Sequence, residues 1–153
     1  MTKIKSVDEI KDLIGCEVGL SDWLHIDQER VNQFADATLD YQYIHLDQKR
    51  AAKTPFGGTI AHGFLTLSLI SHLAGEHTVM PEGVQMGVNY GCNKLRFLAP
   101  VKVGSYIRAR VVLKDFTEKR PGQFMSTLTI TMEIQDEDKP AMICEWVTLL
   151  FTE

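Results

Sequence analysis

An aspartate and a histidine stand five positions apart in the stretch "DYQYIH", Asp40 to His45, with only aromatic, apolar and amide side chains between them. A carboxylate and an imidazole at that reach can share one water, one group orienting it while the other moves its proton. Histidine's ordinary pKa near 6.5 suits that work at neutral pH. Tyr41, Tyr43 and Ile44 would wall the pair with low-dielectric surface and tune it by burial. The spacing alone has a plainer reading, in which Asp40 caps a turn and His45 is a satisfied core histidine, and by spacing alone that reading is preferred. A second segment follows, "PFGGTIAHGF", residues 55–64. Gly57 and Gly58 let backbone approach a ligand closely, which makes Gly58 a candidate substrate contact. Gly63 opens an apolar run, where the first N–H groups of a helix have no intrahelical partner. Without a side chain, Gly63 can offer its N–H to a substrate oxygen. Close packing of a helix on a strand would also explain it, since glycine inside a helix costs about 1 kcal/mol against alanine and asks for some reason.

These residues need elements to hold them. Ser6 and Glu9 form a capping box ahead of an apolar stripe at Ile10, Leu13 and Ile14, with Gly15 as the stop. "CEVGLSDWLHI" reads as a short strand or turn. Asp27 caps a second helix with Val31, Phe34 and Ala35 at helical spacing, which runs into Thr38, Leu39 and Asp40. Asp47 caps a short helix that Pro55 ends. Residues 59–73, "TIAHGFLTLSLISHL", are apolar nearly all round and predict a buried helix. Four strand-like runs fill the rest. Ile107, Ala109 and Val111 alternate with Arg108 and Arg110; Leu128, Ile130, Met132 and Ile134 alternate with threonines and Glu133. Helices first and strands after argue an α+β chain, a four-strand antiparallel meander curled around the buried helix.

Composition narrows the function classes. A chain of 153 residues suits one domain, 1–153, and 44% hydrophobic residues can supply one core. With 16 Lys plus Arg against 20 Asp plus Glu, the formal charge is -4 and no basic stripe appears, which speaks against a nucleic-acid partner. Cys16, Cys92 and Cys144 are few and scattered, without a CxxC pair. They predict buried free thiols in a reducing cytoplasm and no structural zinc. The charged start "MTKIKSVDEIKDLIG" is no signal peptide, and no apolar run nears the ~20 residues of a membrane span.

The stretch from Phe34 to Ile70, "FADATLDYQYIHLDQKRAAKTPFGGTIAHGFLTLSLI", resembles the MaoC-like dehydratases, also called (R)-specific enoyl-CoA hydratases or hydratase 2. It is most similar to their nodulation-protein-N-like branch, as is "GVNYGCNKLRFLAPVKVGSYIRAR", residues 87–110. The resemblance covers nearly the whole chain. It implies a hot-dog fold, a long helix wrapped by an antiparallel sheet. It puts the family's catalytic pair on Asp40 and His45, its oxyanion glycine on Gly63, and a serine of the same helix on Ser71. His62 is expected to fix loop geometry at the substrate site, and Gln42 keeps an amide where many members carry Asn-Pro. Leu39 stands where the family usually has glycine; were that backbone to need a positive φ, leucine would be strained there.

The implied reaction is reversible syn hydration of a trans-2-enoyl thioester to an (R)-3-hydroxyacyl thioester, without metal or redox cofactor. Coenzyme A would enter as part of an acyl-CoA substrate. Lys94, Arg96 and Arg108 are candidates for its phosphates, with ordinary solvated strand faces as the plainer reading. The resemblance also implies a homodimer. The rivals are a hot-dog thioesterase and a non-catalytic acyl-thioester-binding dimer.

Overall fold

The computed structural model describes residues 2–153. Strand β1 (Lys3–Lys5) leads into helix α1 (Val7–Lys11), where the Ser6 hydroxyl and the Glu9 carboxylate form the expected reciprocal cap. Strands β2 (Glu17–Leu20) and β3 (Leu24–His25) follow, then helix α2 (Gln28–Thr38), whose Asp27 cap accepts the N–H of Arg30. Two single-turn helices, α3 (Tyr43–Leu46) and α4 (Gln48–Ala51), carry the chain past His45; Asp47 caps the latter.

The predicted helix over residues 59–73 is shorter and broken. Residues 59–62 are extended, and Ile60 bridges to Lys102. Helix α5 (Gly63–Ser68) and helix α6 (Ile70–Leu73) then meet at Leu69. Only one side of this pair is buried, through Leu65, Thr66, Ile70 and Leu73, while Phe64, Ser68, Ser71 and His72 are exposed. Composition cannot say whether a second surface covers the other face, so an all-round apolar run does not guarantee burial within one chain.

Strand β4 (Val79–Pro81) pairs in parallel with β1, and four long strands complete the chain: β5 (Val84–Phe97), β6 (Tyr106–Arg120), β7 (Gln123–Ile134) and β8 (Met142–Thr152). Their order corrects the expected meander. Strands β6, β7 and β8 do follow one another, but β5 pairs with β8, giving β2-β6-β7-β8-β5 with β3 beside β6. The segment 98–105 makes this crossing, held by Leu98 N–H on the Ala141 carbonyl and by Ala61 N–H on the Val101 carbonyl.

The alternation read from the sequence is the core face of the sheet. Ile107, Ala109, Val111, Leu113, Ile130 and Met132 have no exposed surface. They pack with Leu65, Ile70 and Leu73 of the helical pair, so the sheet wraps the helix on one side. Strand β5 differs: it forms one edge of the sheet and nearly all its residues are exposed. The thiols also differ from expectation. Cys144 is buried, and burial together with the neighbouring Cys92 pushes it up to about 12, but Cys16 and Cys92 are exposed. A strand at a sheet edge buries neither face fully, which is where Cys92 falls.

Candidate active site

The site begins at the end of α2. Leu39 closes that helix in the left-handed conformation, φ 61° and ψ 25°, so the condition under which leucine is strained there is met. The turn it makes swings the chain from α2 into Asp40. The Asp40 carboxylate accepts the backbone N–H of Gln42 at 3.3 Å, and the Gln42 carbonyl accepts the N–H of His45 at 3.0 Å. Gln42 is exposed and its amide makes no cap hydrogen bond, so it acts in this loop through its backbone.

A second segment is stitched across the first. Ile60 donates its N–H to the Ile44 carbonyl at 3.0 Å and accepts Nδ1–H of His45 at 2.7 Å. Nε2–H of His62 donates to the Asp40 carbonyl at 3.0 Å. A carbonyl can only accept, so each contact places a proton on the nitrogen that makes it. His45 keeps its lone pair on Nε2, and Nδ1 of His62 is buried without a partner among the described residues. The two rings stack with centroids 3.8 Å apart. His45 is 6% exposed, and its pKa is lowered from the ordinary 6.5 chiefly by burial. The His62 ring lowers it too, while the Ile60 carbonyl and Asp40 pull the other way. The imidazole is therefore neutral at pH 7 with Nε2 able to accept a proton.

Polar side chains that the sequence did not single out hold this arrangement. Gln28 donates Nε2–H to the His45 carbonyl at 2.8 Å and accepts the Thr59 hydroxyl at 2.7 Å. Gln48 accepts the Thr59 N–H at 3.0 Å. Gly58 packs on Gln48, whose amide nitrogen would lie 3.1 Å from an added Cβ. Each of these hydrogen bonds joins residues 11 to 31 positions apart, so no local pattern announces them.

A cavity of about 360 Å³ opens beside His45, with Gly63 and Thr66 on the α5 side and Phe56, Phe97, Leu98 and Ala141 among the opposing walls. Gly63 is the first residue of α5, and its N–H has no acceptor among the described residues. A Cβ there would come within 3.2 Å of the Phe97 ring. A larger residue there would thus press on the Phe97 ring, while the glycine's backbone conformation is ordinary. Asp40 is exposed and does not line the cavity; its carboxylate lies within 4.8 Å of ligand atoms of His45 and His62. Three such donors at that spacing could attract a metal ion. The two rings, however, lie in planes only 25° apart. An ion between them would sit outside both planes, where imidazole has no lone pair, so metal binding would require the rings to rotate.

The remaining predicted residues lie elsewhere in the chain. Ser71 is exposed in a separate groove with Leu67, Asn89, Cys92 and Trp146. Lys94 pairs with Glu145 at 3.2 Å, and Arg96 is exposed and donates to the Leu95 carbonyl. Arg108 pairs with Glu133 at 2.7 Å, and its guanidinium sits 4.3 Å from the centre of the Trp23 ring. None of the four lines the cavity beside His45. A cation that does stand near it is Lys102, in an adjoining groove that shares Phe56 with the cavity.

Known proteins place the chain in a family and a fold. The family described as a MaoC-like domain matches residues 9–135, and the chain belongs to that family. It is 47% identical over 146 residues to 3-hydroxyacyl-thioester dehydratase Z of Mycobacterium tuberculosis, covering 95% of each chain. It is 44% identical over 147 residues to nodulation protein N of Rhizobium meliloti, covering 94% of this chain and 90% of the relative. The solved (R)-hydratase of A. caviae, described as involved in PHA biosynthesis, superposes with a TM-score of 0.69 at 31% identity, over 86% of this chain and 95% of that one. The fold is the α+β hot-dog fold.

Proposed function

We propose that the protein is an (R)-specific enoyl-thioester hydratase, a hydro-lyase that adds water to a trans-2-enoyl thioester and removes it in reverse. The observation that carries this reading is the neutral His45 imidazole, its Nδ1–H tied to Ile60 and its Nε2 free, in the cavity that Gly63 also lines. His45 Nε2 accepts a proton from a water held with the help of Asp40 as the water oxygen bonds to C3. The proton then passes to C2 on the same face, so the addition is syn and the enzyme ends as it began. Enolate charge builds on the thioester oxygen, where the Gly63 N–H can receive it. No step calls for a metal or redox cofactor, and the acyl chain fits the apolar side of the cavity.

Coenzyme A enters as part of the substrate in this reading, with Lys102 near its phosphates. The working form is a homodimer, because β5 is an open edge that carries exposed Met86, Val88 and Tyr90. The exposed face of α5 and α6, with Ser71, borders the same edge through the Asn89 and Cys92 groove. A cytoplasmic setting is consistent with three unpaired cysteines.

The test is hydration of trans-2-enoyl-CoA of graded chain length, followed by loss of the conjugated thioester absorbance and by free thiol. Asp40→Asn and His45→Gln should each lower kcat by about 10²–10⁴ with the fold intact. Wild-type rates in both variants would remove the pair from the mechanism, and release of free thiol would point to a thioesterase.

A further inference from the structure

The cavity wall contains one hydroxyl that nothing among the described residues uses. Thr66 is 3% exposed and lines the cavity with His45 and Gly63. Helical hydroxyls usually return to the carbonyl four residues back, and Thr38 and Ser68 do so here, each at 2.7 Å. Thr66 does not. Its own N–H bonds to the His62 carbonyl at 3.2 Å, but its hydroxyl has no partner among the described residues. Nor is that oxygen among the sealed, unpartnered atoms of the interior, which leaves it open to the cavity. That oxygen is therefore free to meet water or a ligand in the cavity, whereas valine would fill the same space in this apolar wall and offer neither a partner.

Direction adds to position. Helical side chains lean toward the N-terminus, so a residue covers the turn before its own Cα. Thr66 therefore leans over the turn that begins at Gly63, three residues earlier, where no side chain intervenes. Resting on the hydratase reading above, we propose that Thr66 is a substrate-contacting residue whose hydroxyl donates to the thioester oxygen as enolate charge develops there. Phe97, packed against Gly63, closes the opposite side and confines that oxygen between them.

Thr66→Val removes the hydroxyl at nearly constant shape. With an enoyl-CoA that the wild type hydrates, kcat should fall about tenfold or more, less than the 10²–10³ seen when a principal oxyanion donor is lost. KM and the thermal midpoint should hardly move. Thr66→Ser should recover most of the rate. A purely structural threonine would give the opposite pattern, with stability lost and kcat kept. If the valine variant does not fold, Thr66→Ser against Thr66→Ala isolates the hydroxyl, and equal kcat in those two overturns the proposal. An active wild type with an equally active Thr66→Val overturns it alone. A wild type inactive on every enoyl-CoA removes the hydratase reading and this assignment with it.

Discussion

His45 shows how burial and hydrogen bonding select one chemical state. The Ile60 carbonyl fixes the tautomer, and desolvation holds the pKa below the ordinary 6.5. Two consequences share one sign. The free base persists as pH falls through 6.5, so the acidic limb of kcat/KM should lie below that value if His45 is the group whose protonation stops the reaction. In the unfolded chain His45 takes up a proton near 6.5 and in the folded chain only at lower pH, so its contribution to stability is complete above 6.5. That contribution is lost as pH falls from 6.5 through the folded pKa. A pH–rate profile of the wild type checks the first point. An acidic limb centred above 6.5 would assign it to another group. The sequence offered Asp40, His45 and Gly63, but the spacing of the first two by itself favoured a turn cap and a core histidine. The Ile60 carbonyl that fixes the tautomer was not legible there, because its meeting with His45 across 15 residues follows from tertiary packing.

Elements were legible where their signals are local. The capping aspartates at 27 and 47 and the Ser6–Glu9 box each act within three residues, and each stands where the sequence put it. The alternation in β6 and β7 likewise reports a face directly. The strand order and the broken helical pair were not legible, because both depend on which distant surface an element meets. Leu39 belongs at this scale, since it decides how α2 ends. A non-glycine residue in the left-handed region is uncommon, and the conformation costs roughly 1–2 kcal/mol against the right-handed one. Its side chain is 76% exposed, so little packing is lost on its removal. Leu39→Gly should raise stability by about 0.5–1 kcal/mol, the strain relief being partly offset by the greater freedom of glycine in the unfolded chain. Denaturant unfolding of the two proteins measures this. A destabilised glycine variant would mean that Leu39 makes contacts this fold does not display.

At the scale of the molecule, the question is what covers β5. A strand whose outer N–H and C=O groups are unpaired is a template for another strand, and this one also carries apolar surface. Met86 is 51% exposed, Val88 40% and Tyr90 66%. The half-buried α5 and α6 pair lies alongside, so one copy leaves a continuous apolar face on helix and strand together. Closed two-fold pairing is the commonest way for identical chains to bury such a face, and β5 against β5 would extend one sheet across two chains. A lysine at that edge opposes pairing by its charge and its hydration. Tyr90→Lys changes a side chain that the single chain leaves mostly in solvent, so the monomer fold should tolerate it. Light scattering should give wild-type protein about twice the 17.3 kDa chain mass and the variant the mass of one chain, with unchanged circular dichroism. The cavity wall runs through Phe97 at the end of this strand, so loosening the edge should also lower hydration per chain. That loss should diminish at protein concentrations high enough to restore the dimer. A wild type that stays monomeric at every concentration would show that β5 meets solvent, or a different partner, along its whole length.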